Sequence, residues 1–375
     1  MSSTFDYGPP APRGRSIREL DLLMAAVVVL CCLGLVIAVS VQGPQKGTLK
    51  ALQGQGSKLL LGLVAFLGCA TVSLRMLRRL AMPGFVVGTG LCLCAALLFR
   101  SAKGAHRWIR VTDSLTFQPV EVARFTMIVL LAALVSNLGK DVERFRGGFL
   151  KVMGPALILA GALVLQPDLG NAIFTVAIAA VIAIVAGVRW RWFLAAASVL
   201  VAGVVWHVQR KAYAQDRITG FLDVREGSQV GQSITAIASG GVSGQGLGNG
   251  WMKMGFVPEA GNDFVFAVVG EELGLLGSVA VVALFAVIAW VGWRLVLATE
   301  DRFCKFLVLG FTTAVCLQAA LNLYVVTGLA PAKGIDLPFL SSGGTNLVFA
   351  LAAIGIIGNA ARSDAAARNT FPGRD

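Results

Sequence analysis

Charge is scarce in this chain. Of its 375 residues only 14% are Asp, Glu, Lys or Arg, while 56% are hydrophobic. A water-soluble domain cannot hide that much apolar surface, so the composition excludes one and leaves an integral membrane protein. Histidine is scarcer still. His106 and His207 are the only two and lie far apart, which argues against a histidine-based metal site. The seven cysteines all fall in apolar runs and none forms C-x-x-C, so they read as reduced, buried thiols and not as a disulfide or zinc framework. Internal repeats and low-complexity tracts are missing, so no doubled transporter architecture is visible. Acid is short relative to base, with 20 acidic against 32 basic residues and a net charge of +12. The basic residues lie between apolar runs and form no single patch. That argues against nucleic acid and for anionic lipid head groups or an anionic lipid-linked substrate.

What the chain does have is apolar runs of about 20 residues, the length that crosses a bilayer as a helix. Ten are expected: 22–42, 59–77, 82–99, 122–139, 152–166, 170–187, 190–207, 264–293, 303–327 and 343–361. The expected fold is therefore an all-α integral membrane protein of about ten transmembrane helices. Residues 1–21, with Pro9, Pro10 and Pro12, read as a disordered cytoplasmic tail before an uncleaved first span. Residues 22–361 form the membrane domain, interrupted by one long outer loop at 208–263. Residues 362–375 read as a second cytoplasmic tail. With both termini cytoplasmic, the inner segments hold most of the short-loop cations, while the short outer loops hold only Lys46, Lys50, Lys58 and Lys333. This count supports a chain reversal at Gln166-Pro167-Asp168 over one continuous broken helix.

Against this background the stretch "PEAGNDFVFAVVGEELG", residues 258–274, is unusual, because it brings Glu259, Asp263, Glu271 and Glu272 to the entry of an apolar run. Asn262 or Asp263 is placed to cap a helix starting at Phe264. Glu271 and Glu272 follow about 12 Å deeper along that helix. They are not a pair facing one bond, as a glycosidase needs, and must face the protein interior, a cavity or a basic partner. Elsewhere, Glu121 and Arg124 stand three residues apart on one helix face, as a local ion pair or as the charged wall of an outward cavity. Asp168 is placed as a helix cap. "ASGGVSGQGLGNG", 238–250, is glycine-dense without a preceding strand, so it reads as a tight loop near the membrane surface and not as a dinucleotide site. "GLAPAKGIDLPFLSSGGTN", 328–346, is too irregular for a plain connection, and such backbone must be buried in protein or line a wet cavity. The expected topology gathers Arg107, Glu121, Arg124, Asp168, Arg217, Lys253, Asp263 and Lys333 at the outer face.

These segments carry a resemblance. "RWIRVTDSLTFQPVEVAR", "LQPDLGNA", "GQSITAIASGGVSGQGLGNGWMKMGFVPEAGNDFVFAVVGEELGLLG" and "GLAPAKGIDLPFLSSGGTN" resemble, in order, the signature segments of the SEDS family (shape, elongation, division and sporulation). Two of them look more like its division member than its elongation member. The resemblance implies a ten-helix membrane enzyme of the bacterial inner membrane, at the division septum. Such an enzyme polymerises lipid II, a sugar carried on undecaprenyl diphosphate, beside a class B penicillin-binding protein and other division proteins. Carried over residue by residue, the family's proposed catalytic aspartate falls on Asp263. Its cavity glutamate and lysine fall on Glu121 and, as arginine, Arg124, and further cations fall on Arg107 and Lys333. The family's His-Thr before the aspartate is here Gly261-Asn262.

Glycosyl transfer from a lipid diphosphate needs a base for the acceptor hydroxyl and positive charge for the leaving diphosphate. Asp263 is the candidate base. Arg107, Arg124, Lys253 and Lys333 are candidate diphosphate ligands, with Glu121 as a further substrate-binding candidate and Asp168, Glu259, Glu271 and Glu272 as supporting ones. The sequence establishes no cofactor. A divalent cation (Mg or Mn) could share the diphosphate, although no dedicated cage is visible. Two other readings use the same residues: a lipid II flippase with Glu271 and Glu272 on a proton path, and a non-enzymatic division scaffold.

Overall fold

The computed structural model describes residues 14–98, 109–110, 116–196, 198, 228–251, 261–330 and 334–370. Among the described residues the long apolar runs are helices, because no water is present in a bilayer core to satisfy a backbone left unpaired. In chain order these are α1 (Gly14–Lys46), α2 (Thr48–Thr71), α3 (Leu74–Leu98), α4 (Pro119–Asn137), α5 (Leu150–Leu165), α6 (Leu169–Val185), α7 (Gln229–Ser239), α8 (Val265–Ala298), α9 (Arg302–Val326) and α10 (Gly344–Thr370). Among the described residues eight helices are long and apolar enough to cross a membrane, and α6 is a shorter apolar one. The expected span at 190–207 is helical over 190–196, and most of its remainder lies outside the described residues. A two-residue antiparallel ribbon, Ile109–Arg110 with Thr116–Phe117, leads into α4. The protein is thus an all-α, multi-pass membrane protein.

Several boundaries differ from the sequence expectation. α1 starts at Gly14, so the chain is already helical over part of the segment read as a tail. α2 starts at Thr48 and not at 59, since "TLKALQGQGSK" lacks proline and is built largely of fair helix formers. α10 continues to Thr370, past the expected end at 361. The segment read as one long loop contains α7, capped by the Ser228 hydroxyl, which accepts from the Gly231 N–H at 3.0 Å. The reversal at Pro167 is present: α5 stops at Leu165, α6 starts at Leu169, and the two pack together.

Polar links gather at the two ends of the bundle. At one end Glu19 of α1 pairs with Arg294 of α8 at 2.7 Å, and Asp364 of α10 accepts from the Glu300 and Asp301 amides. The first and last described helices therefore present their outer termini at the same end. At the other end the start of α8 meets the loop before α10. The Ser341 hydroxyl donates to the Asn262 carbonyl at 2.7 Å, and the Ser342 amide donates to the Gly261 carbonyl at 2.9 Å.

α8 is not one continuous helix. Gly274 sits inside it with φ 66° and ψ −160°. A break in a membrane helix leaves carbonyls and amides that must be paired. Here the glycine-dense loop pairs them. The amides of Gln245 and Gly246 donate to the carbonyls of Glu271 and Glu272, both at 3.0 Å. The amides of Leu275 and Leu276 donate to the carbonyls of Gly241 and Val242. The loop expected near the membrane surface thus docks into the interruption of α8. Glycine is required for this at Gly244, where φ is +80° and a Cβ would fall 2.2 Å from the Glu272 carbonyl oxygen.

Candidate active site

A cavity of about 830 Å3 opens at the end of the bundle where the loops meet. Its wall draws on α2, α4, α6, α9 and the start of α10, the turn before α8 and the loop before α10. Three of the residues singled out in the sequence line it: Asp263, Glu121 and Arg124.

Asp263 lies in the turn that precedes α8. The helix-capping position falls on Phe264, which contributes no side-chain cap. The expected cap at Asn262 or Asp263 is therefore not where the helix starts, and both residues line the cavity instead. The backbone at Asp263 is pinned from behind. Asn322 of α9 is buried, and its amide donates to the carbonyls of Asp263 and Ile335, both at 2.7 Å. One side chain thus fixes two loops of the cavity relative to each other. Gly334 lies directly opposite the carboxylate: a Cβ built there would be 3.0 Å from Asp263 Oδ2.

Glu121 and Arg124 stand on the first turns of α4, which starts at Pro119, a residue suited to the first helical position. They pair at 3.1 Å, with side chains 11% and 5% exposed, so the local ion pair and the cavity wall are one structure. The Arg124 guanidinium also donates to Asn171 and lies 4.3 Å from the Phe174 ring centroid. Asn171 donates in turn to Asp168 at 2.8 Å, and Asp168 caps α6 as expected. A chain of contacts thus runs Glu121–Arg124–Asn171–Asp168. It neutralises the Arg124 charge and fixes its plane.

Glu271 and Glu272 are both buried and do not line the cavity. Glu271 accepts from the Trp251 amide at 2.7 Å, and Glu272 accepts from the Ser40 hydroxyl at 2.6 Å. They hold the docked loop and α1 against the broken helix. Of the options weighed for them, facing the protein interior is the one realised.

Arg107, Lys253, Glu259 and Lys333 lie outside the described residues, as does Arg217. Among the described residues, no three of His, Cys, Asp and Glu gather into a metal-holding group. Besides Asn322, sequence reasoning missed four polar residues of the cavity and its backing: Lys58, Asn171, Gln318 and Asp336. Lys58 was expected in an outer loop. It lies within α2, and its ammonium reaches the Ser342 carbonyl at 2.6 Å. Gln318 of α9 donates to the Asp336 carbonyl at 2.9 Å and to Asn346 at 2.8 Å. Three of these four, Lys58, Asn171 and Gln318, are single polar residues in apolar helices, and such a residue is itself a signal of a cavity.

A probable peptidoglycan glycosyltransferase FtsW of Geobacter metallireducens is 36% identical over 361 residues, covering 92% of this chain and 95% of that protein. Stage V sporulation protein E of Bacillus subtilis is 36% identical over 265 residues, covering 69% of this chain and 72% of that one. Among solved structures, one chain superposes with a TM-score of 0.77 at 28% identity, covering 91% of this chain and 97% of its own length. It comes from a study described as "Structural coordination of polymerization and crosslinking by a peptidoglycan synthase complex". The rod shape determining protein RodA of Thermus thermophilus superposes with a TM-score of 0.66 at 25% identity, covering 91% and 96%. The model of the cell cycle protein family that groups FtsW, RodA and SpoVE matches residues 21–366, nearly the whole chain. This protein belongs to that family.

Proposed function

We propose that the chain is a peptidoglycan glycosyltransferase of cell division, which polymerises lipid II into glycan strands at the outer face of the bacterial inner membrane. Its membrane domain spans 22–361, both termini are cytoplasmic, and the cavity faces outward at the septum. Its partners are a class B penicillin-binding protein and other division proteins. The relatives' names support the activity. The observation that carries the reading is the cavity itself, where Asp263 shares one open pocket with the Glu121–Arg124 pair and Lys58.

The chemistry fits this inventory. The acceptor hydroxyl oxygen attacks the anomeric carbon of the donor sugar and forms a new C–O bond. The bond from that carbon to the diphosphate oxygen breaks, and the diphosphate leaves with the electron pair. The hydroxyl proton passes to the Asp263 carboxylate. A diphosphate is a good leaving group, so one base and several cations suffice. Arg107, Lys253 and Lys333 are assigned to the diphosphate. Arg124, held by Glu121 and Asn171, presents an oriented but compensated charge. Glu259 is assigned to support the loop that carries Asp263. No observation favours the flippase, whose glutamates lie off the cavity, or the scaffold.

The test uses purified protein and labelled lipid II, with and without the cognate transpeptidase. Wild type is expected to make polymer and Asp263→Asn none, while Asp263→Asn still binds its partner. Equal polymer from both proteins would remove Asp263 from catalysis. No polymer from either, with the partner present, would overturn the polymerase reading.

A further inference from the structure

Lys58 is an unusual residue for its helix. α2 contains no acidic residue, and most of its surface is exposed apolar side chain. A lysine about ten residues into such a helix is costly unless its ammonium finds water or a partner. Lys58 turns inward and lines the cavity. Its one hydrogen-bond partner among the described residues is the Ser342 carbonyl, a neutral acceptor. The Asp336 carboxylate, on the wall of the same cavity, attracts it through space. An ammonium has three donors, so two remain for a ligand. The contrast with Arg124 is direct. Arg124 also lines the cavity, but its two terminal nitrogens are engaged and its charge is balanced by Glu121 at 3.1 Å. Of these two described cavity cations, Arg124 is held in a direct ion pair, whereas Lys58 feels the Asp336 carboxylate only through space and keeps donors for a ligand.

We propose that Lys58 binds a phosphate of the lipid-linked substrate and, through Ser342, ties α2 to the loop before α10 while it does so. The proposal rests on the reading that this cavity takes a lipid diphosphate. The loop it touches is stitched to the turn of Asp263 by Ser341 and Ser342. A phosphate held at Lys58 is thereby placed at a fixed offset from Asp263. Lys58 is a binding and positioning residue, not the base. The same chemistry would recognise the head group of a bulk anionic phospholipid, and the test must separate the two sources.

The full chain is placed in nanodiscs of neutral phosphatidylcholine, and the affinity for undecaprenyl diphosphate is measured. Lys58→Gln is expected to weaken binding about tenfold, the order of one lost charge-assisted hydrogen bond, and Lys58→Arg to retain most of it. In polymer assays Lys58→Gln is expected to raise KM more than it lowers kcat. Wild-type affinity in Lys58→Gln would overturn the proposal. So would equal loss in Lys58→Arg together with a lower unfolding temperature of the ligand-free protein, which would mark a latch to Ser342 and nothing more. Displacement of the probe by phosphatidylglycerol at comparable concentration would assign the site to bulk lipid. If wild type made no polymer but bound the diphosphate through Lys58, the function would fall and this site would stand.

Discussion

The Glu121–Arg124 pair shows how a buried charge is tolerated here. Arg124 is only 4% exposed, and without Glu121 its guanidinium would be an uncompensated ion among apolar helices. Removing one partner of such a pair costs about 3–5 kcal/mol, whereas replacing both by apolar groups is often neutral. Glu121→Gln is therefore expected to lower unfolding free energy in detergent by about that amount, and Glu121→Leu combined with Arg124→Met to recover most of it. A Glu121→Gln protein as stable as wild type would show that Asn171 and the Phe174 face hold the arginine unaided. The pair was legible in the sequence, because its spacing on one helix face is a local pattern. Asn171, Asn322 and Lys58 were not, since each acts on a group from a distant segment and has no local motif to announce it.

The broken helix α8 and the loop docked in it make the clearest element-scale prediction. Gly241 and Gly244 both have positive φ, but only at Gly244 would a side chain strike backbone. Gly241→Ala should cost about 1–2 kcal/mol from the left-handed conformation alone. Gly244→Ala meets the same strain and also displaces the Glu272 carbonyl, so its unfolding midpoint in detergent is expected to fall distinctly further. Equal effects would mean that the loop does not pack into the break. Helices α4 to α6 and α8 to α10 were legible to within a few residues at most ends, because uninterrupted apolar runs define them. The start of α2, the presence of α7 and the break at Gly274 were not. A short amphipathic helix in a polar segment looks like loop, and a glycine inside an apolar run does not show whether its backbone is helical.

At the scale of the whole molecule, both outer termini share one end of the bundle and the cavity occupies the other. Arg75, Arg78, Arg79, Arg189, Arg294 and Arg302 lie near the terminal end, and from the preference of cationic loops we propose that this end is cytoplasmic. Lys50 and Arg302 are exposed at opposite ends. Lys50→Cys is expected to react with a membrane-impermeant maleimide in intact cells, and Arg302→Cys only after lysis, both above the background of the native cysteines. The reverse pattern would invert the protein and move the cavity to the cytoplasm. The interruption of α8 also bears on how the chain enters the membrane. As one helix its 34 residues would be about 51 Å long, well beyond a hydrocarbon core of about 30 Å. Leu275–Ala298 alone is long enough to cross, and it carries neither glutamate. The membrane insertion machinery can thus accept that half first. The half with Glu271 and Glu272 joins by docking onto Gly241–Gly246, a segment already synthesised when α8 emerges.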